Sequence, residues 1–289
     1  MKRLFFLLSC LLLPATCLHA ENVESLNLED DKYPGYSMPR TQVIPLRDTS
    51  NAKQYELYIK LPENYQEDSD MTYPVIYFTD AVWHIEVLSA AHEYLLPESI
   101  LVGISWQQDS DAELVAQYGA HASRFSDYSH WDKANPNHPK LKFGGAEKHL
   151  AFIRKDVLPF VQKHYRTQPD KRSYFGYSLG GGFGAYILLN QPDTFQNYIL
   201  GSPSVKLFTE GDPKRFNRAE LKQTNIFIAH GDLEENRAED IKAFIAKFEQ
   251  SAQQPIQLRY KVISGDHSTA FPETAIESIR WLKERFGAD

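Results

Sequence analysis

Cysteine is nearly absent from the chain: two occur in 289 residues, Cys10 and Cys17, and both lie in the first twenty positions. That stretch also contains no acid. Lys2 and Arg3 form a basic head, "LFFLLSCLLL" (4–13) is an apolar run too short to span a bilayer, and "CLHA" ends on the small Ala20. This is the layout of a secretory signal peptide, so export to the periplasm or medium with cleavage after Ala20 is expected, and no membrane anchor. The remaining chain would then be cysteine-free, which excludes disulfides, thiolate metal sites and a cysteine nucleophile. Loss of Lys2 and Arg3 would also take the formal charge from -7 to -9. A chain that acidic is a poor partner for nucleic acid or an anionic membrane surface. No H-E-x-x-H motif, internal repeat or low-complexity linker occurs.

With 42% hydrophobic and 24% charged residues, the rest reads as a globular protein. A polar leader (21–40) precedes a single expected domain (41–289). "TQVIPLR" and "KQYELYIKLP" read as strands, the second with Tyr55, Leu57 and Ile59 alternating against charged neighbours. "YPVIYFTD", "SILVGISW", "RSYFGY", "QNYILGS", "TNIFIAHG" and "IQLRYKVI" have the length and composition of strands buried on both faces. Helical spacing fills the gaps: Ile241, Phe244, Ile245 and Phe248 share one face, as do Ile276, Ile279, Leu282 and Phe286. Strands alternating with helices imply an α/β fold, a mostly parallel sheet flanked by helices on both faces. Residues 107–145, rich in Asp, His, Tyr and Asn, break the alternation and read as a long inserted loop.

Between a strand and a helix stands "GYSLGGGFGA", with Ser178 inside G-x-S-x-G. Nucleotide binding would require an acid about 20 residues further on, or a Lys after the glycines. The next strand ends in "LGSPS" and no such Lys is present. A strand turning directly into a helix instead holds its central residue exposed on a strained bend, as a nucleophile requires. Leu179 would then offer its backbone N–H at a helix N-terminus to a developing oxyanion. A serine needs a base and an orienting carboxylate. Of the ten histidines, His267 directly follows the last strand. His230 ends a strand ahead of the loop that should supply the acid, and His84 is placed to line the site. His92, His149 and His164 fall within helical stretches, as packing or surface residues. Asp232, Glu234 and Glu235 all follow "TNIFIAHG", and position alone does not choose among them. The order serine, acid, histidine is that of α/β-hydrolases.

The segments "LYIKLPENY", "YPVIYFTDA", "RFSDY", "GGAEKHLAFIRKDVLPFVQKHYRT", "FGYSLGGGFGAYILLNQPDTFQNYILGSPS" and "GDLEE" together resemble the esterase D-like branch of the α/β-hydrolase superfamily, over about residues 41–286. The resemblance implies Ser178 as nucleophile, His267 as general base and Glu234 as the acid. It also implies Val82, in the loop from Asp80, as the second oxyanion donor. Relatives usually carry Gly where Ala81 stands, and siderophore-trilactone esterases often have aromatics after "SPS", where this chain reads "SPSVKLF". The expectation is a cofactor-free, metal-free serine esterase acting on a small-molecule ester. A trilactone esterase and a non-catalytic binding protein on the same scaffold are the rivals. Tyr177, Arg124 and Trp131 are candidate substrate contacts. Tyr118, Tyr128, Trp131 and His130 of the insertion would either stack on substrate or form a satellite core. Arg124 with Lys214, Arg215 and Arg218 is the candidate basic patch for an anionic ligand.

Overall fold

The computed structural model describes residues 35–65, 70–132, 138–210, 216, 221, 224–251 and 257–287. The expected signal peptide, most of the polar leader, and Lys214, Arg215 and Arg218 lie outside the described residues. A compact unit begins at Met38. In chain order its elements are β1 (Thr41–Arg47), β2 (Gln54–Lys60), β3 (Tyr73–Phe78), α1 (Ala81–Leu95), β4 (Ile100–Ile104), α2 (Ala112–Tyr118), α3 (Arg124–Asp127), α4 (Ala146–Phe152) and α5 (Leu158–His164). There follow β5 (Thr167–Tyr177), α6 (Leu179–Asn190), β6 (Asn197–Gly201), α7 (Lys206–Thr209), β7 (Asn225–Gly231), α8 (Glu235–Ser251), β8 (Gln257–Ile263) and α9 (Phe271–Phe286).

The strands form one eight-stranded sheet in the order β1-β2-β4-β3-β5-β6-β7-β8. β1, β2 and β4 pair antiparallel, and every pairing from β4 to β8 is parallel. β3, β4 and β6 are buried at every position, as their unbroken apolar runs require. The sheet separates two hydrophobic clusters. One holds Tyr55, Leu57 and Ile59 with Phe152, Phe183, Ile241, Phe244 and Phe248; the other holds Ile85 and Leu88 of α1 with Ile279, Trp281 and Leu282 of α9. Helices therefore cover both faces.

Two expectations need correction. β8 reads as a doubly buried strand, yet only Ile263 of its seven residues is buried. It is an edge strand with β7 on one side, and Arg259 and Lys261 pair with Glu284 and Glu277 of α9. The insertion is not a bare loop. It contains α2, α3 and a 3₁₀ turn at Ala120–Ser123. The buried Asp127 carboxylate accepts hydrogen bonds from Tyr55 Oη (3.1 Å) and Gln107 Nε2 (2.9 and 3.0 Å). The insertion is thereby fastened to β2.

Candidate active site

β5 passes into α6 through the single residue Ser178, whose backbone is at φ 58°, ψ −117°. That conformation is costly for any residue with a Cβ. Close approach makes glycine necessary on either side. A Cβ on Gly176 would lie 2.3 Å from the Gly180 carbonyl oxygen, and one on Gly180 2.6 Å from Thr79 Oγ1. The bend is held by Ser178 N–H donating to Gly201 O (2.8 Å). Its carbonyl accepts from Gly182 N (2.9 Å) and Ser204 N (3.1 Å). The side chain is thus presented at the carboxyl edge of the sheet, where the loops after β7 and β8 also emerge.

His267 lies in the turn between β8 and α9. Its Nε2 is 2.8 Å from Ser178 Oγ, and its Nδ1 is 2.6 Å from Glu234 Oε1. With Nδ1–H donated to the carboxylate, Nε2 is left as an acceptor for the serine hydroxyl. The Glu234 side chain is 7% exposed and that of His267 40%. Burial opposes ionisation of Glu234. Hydrogen bonds from Ser202 Oγ and Gly231 N–H and the adjoining His267 outweigh it, so the carboxyl sits below its usual range.

The neighbouring acids serve other contacts. Asp232 Oδ1 accepts from Gly265 N (2.8 Å), bracing the turn that carries His267. Asp266 Oδ1 accepts from Ser268 N, Thr269 N and Thr269 Oγ1, each at 2.9 Å. Glu235 opens α8 and is exposed.

Leu179 is the first residue of α6 and Val82 the second of α1, and neither helix has a side-chain cap at its N-terminus. First-turn N–H groups have no intrahelical acceptor. The approach of Gly180 to Thr79 brings the α6 start against the loop that opens α1. Ala81 is fully buried within the α1 cluster.

The candidate substrate contacts divide. Trp131 lines a cleft of about 640 Å³ beside His267, with Val205, Lys206, Leu233 and Arg237. Arg124 does not stand free. It grips the buried Asp80 carboxylate through Nε–Oδ1 (2.9 Å) and Nη2–Oδ2 (3.1 Å), and lies over Trp83 and Tyr128. Tyr177 is 5% exposed and its hydroxyl donates to the His267 carbonyl (2.8 Å), so it supports the histidine loop. Tyr128 stacks on Phe183 in the main core, His130 stacks on Phe208 at 4.2 Å, and Tyr118 meets His138. His84 is buried, with Nδ1 3.0 Å from Thr79 O and its ring stacked on Phe271. His230 contacts Gly231 O and Tyr260 Oη, while His92 and His149 are buried packing residues.

Two residues of the site escaped the sequence reading. Ser202, directly after β6, places its hydroxyl 2.6 and 2.7 Å from the Glu234 oxygens. Arg237 pairs with Glu234 through Nε–Oε1 at 3.0 Å. Ser202 stands in "LGSPS" just after β6, and it is the sheet order that sets it between the ends of β5 and β7.

Comparison with known proteins identifies the family. The family model described as "Putative esterase" matches residues 49–286. The ferri-bacillibactin esterase BesA of Bacillus subtilis is 26% identical over 276 residues, covering 85% of this chain and 90% of BesA. A siderophore enterobactin esterase of Emericella nidulans is 38% identical over 64 residues, 22% of this chain and 21% of that protein. Among solved structures, the BES protein from Bacillus cereus has a TM-score of 0.70 at 22% identity, covering 87% of this chain and 98% of its own. An IroE-like serine hydrolase from Shewanella oneidensis also gives 0.70 at 22% identity, covering 86% and 82%. These structures share the α/β-hydrolase fold. With its family model extending across nearly all of the described unit, the chain belongs to the Putative esterase family of carboxylic ester hydrolases.

Proposed function

We propose that the protein is an exported serine esterase that works through an acyl-enzyme on Ser178. The observation that carries this reading is the continuous chain Ser178 Oγ–His267 Nε2–His267 Nδ1–Glu234 Oε1, at 2.8 and 2.6 Å. Ser178 Oγ attacks the ester carbonyl carbon as its proton passes to His267 Nε2. The resulting oxyanion accepts hydrogen bonds from the Leu179 and Val82 N–H groups, and Glu234 stabilises the imidazolium. Collapse breaks the C–O bond, and the departing alcohol takes the proton from Nε2. Water then repeats the sequence on the acyl-enzyme, His267 accepting its proton and returning it to Ser178 Oγ as the acid leaves. Export is supported by the basic, apolar and small-residue layout of positions 1–20. Intact mass of the protein recovered outside the cytoplasm checks it, cleavage near Ala20 being expected.

Ser178→Ala tests the chemistry. Hydrolysis of p-nitrophenyl acetate should fall by roughly 10³-fold or more with the fold intact. A variant hydrolysing at near the wild-type rate would refute the assignment.

A siderophore ester as substrate is the second reading, favoured by the names of BesA and the fungal esterase. Charge argues against the ferric form as the best substrate. A ferric tris-catecholate carries about three negative charges and meets a chain of net negative charge. Lys206 and Arg237 at the cleft are flanked there by Glu235 and Asp240, and Arg124 is already engaged by Asp80. Simple short-chain esters should therefore be turned over measurably. A ferric trilactone processed orders of magnitude faster would reverse that ranking.

A further inference from the structure

Between the nucleophile and the acid stands a residue that the triad chemistry does not use. β6 lies between β5 and β7 in the sheet, and the residue after its last position is Ser202. Its backbone ties both neighbours together. Ser202 N–H donates to Ala229 O of β7 (2.6 Å), while the preceding Gly201 carbonyl accepts from Ser178 N. Ser202 O accepts from Arg237 Nη1 (3.0 Å). The residue is fully buried and sits at φ 39°, a conformation that a non-glycine residue rarely takes.

The hydroxyl faces the acid. It reaches Glu234 Oε1 at 2.6 Å and Oε2 at 2.7 Å, and lies 3.1 Å from His267 Nδ1. Its one proton is shared between the two carboxylate oxygens, which fixes the carboxylate plane. Its lone pair accepts a secondary share of the His267 Nδ1–H. Gly231 N–H binds Oε2 at 2.8 Å, and Arg237 Nε binds Oε1 at 3.0 Å. Those two donors hold the carboxylate in place. Ser202 alone among them also touches the histidine ring nitrogen.

We propose that Ser202 is a positioning residue for ester hydrolysis, its hydroxyl orienting the Glu234 carboxylate toward His267 Nδ1 and moderating that carboxylate's basicity. The inference rests on the triad reading given above. A carboxylate that donates part of its electron density to a serine hydroxyl holds the imidazolium less tightly. Without the hydroxyl, Glu234 is less well aimed and more basic. Turnover should fall, and the pH profile of hydrolysis should change on its acid side. The other charged or titratable groups around the pair are Arg237, Glu235 and Asp240 of α8, Lys206 of α7, Tyr177 of β5 and Asp266 beside His267. None is altered by a substitution at Ser202.

Ser202→Ala and Ser202→Gly in the full chain, assayed on p-nitrophenyl acetate, test the proposal. Glycine accepts φ 39° without strain, so it separates loss of the hydroxyl from loss of the fold. Both variants should lose roughly tenfold or more in kcat, with KM within about twofold. The acid limb of kcat/KM, followed from about pH 5 to 9, should move to higher pH. Wild-type kcat in both variants, or a kcat loss with an unmoved acid limb, overturns the proposal. Ser178→Ala run alongside separates the two readings. If it is inactive while the Ser202 variants match wild type, only this inference falls; if it stays active, the triad falls and this inference with it.

Discussion

Replacing Arg124 by leucine should destabilise the protein more than it disturbs substrate binding. The guanidinium meets both oxygens of Asp80 at 2.9 and 3.1 Å. The Asp80 side chain is 0% exposed and that of Arg124 11%. Removing one partner of a buried ion pair typically costs about 3–5 kcal/mol, because the other charge is left without compensation. Asp80 would keep one strong donor, Trp106 Nε1 at 2.7 Å, and leucine still covers Trp83 and Tyr128. Both facts place the expected loss at the low end, about 3 kcal/mol, or roughly 6–12 °C in the unfolding temperature. Adding Asp80→Asn to Arg124→Leu removes the stranded charge and should recover about 1 kcal/mol or more.

The kinetic arm distinguishes this role from substrate recognition. Asp80 immediately precedes α1 in a left-handed conformation, so loosening it disturbs the N–H groups of the first turn. kcat should fall for neutral and anionic esters alike, with no selective rise in KM for the anionic ones. Unfolding in urea and paired kinetics on one neutral and one carboxylate-bearing ester measure both quantities. An unchanged unfolding midpoint together with a KM increase confined to the anionic ester would show that Arg124 serves the substrate and refute the reasoning.

Glu234→Gln should cost at least about 10²-fold in turnover, while Asp232→Asn, Glu235→Gln and Asp266→Asn stay within about tenfold, by steady-state kinetics. If Asp232→Asn is instead the crippled variant, the acid lies two residues earlier. Burial pushes His92 down to about 4, with Nε2 2.8 Å from Ser99 O. The folded state keeps it neutral while the unfolded chain takes up a proton below about 6.5, so stability should fall as the pH drops from about 6.5 to about 4. His92→Gln should flatten that segment of the stability–pH curve, and an unchanged slope would show that other groups control it. Ser178→Gly should unfold about 1 kcal/mol or more later than Ser178→Ala, since glycine tolerates φ 58°, ψ −117°. Equal midpoints would mean the bend carries little strain.

Where composition and period determine structure, the sequence was readable. The uniformly apolar runs of β3, β4 and β6 became central strands because nothing but burial on both faces suits them. β8 misled for the complementary reason: "IQLRYKVI" supplies strand propensity, but its place at the sheet edge is a property of topology. Tyr177 reads as a candidate substrate contact. The pleat puts it instead with Phe175 in the α1–α9 cluster, while Tyr174 faces the other one. Arg124 read as a free cation because its partner is 44 residues distant, a separation at which local pattern carries no information. Three acids after β7 were equally placed in sequence. Asp232 turns to Gly265, Glu235 to solvent, and Glu234 to His267, a division made by side-chain direction.

The strain in the backbone follows the same edge of the sheet. Among the described residues, five non-glycine residues have positive φ: Arg40 and Ala52 near β1, and Asp80, Ser178 and Ser202. The last three come just after β3, β5 and β6, which are consecutive neighbours in the parallel part of the sheet. Each such conformation costs on the order of 1–3 kcal/mol and persists only where its surroundings fix it. The fixing contacts are present in each case: Arg124 and Trp106 on Asp80, Gly201 O on Ser178 N, and Ala229 O on Ser202 N. Each residue also presents something that an extended strand end would not. Asp80 starts the helix bearing the Val82 N–H, Ser178 lifts its hydroxyl to His267, and Ser202 turns its hydroxyl to Glu234. Glycine at these positions should therefore raise stability relative to alanine and still sacrifice activity, because the side chain that carries the strain is the one that makes the contact.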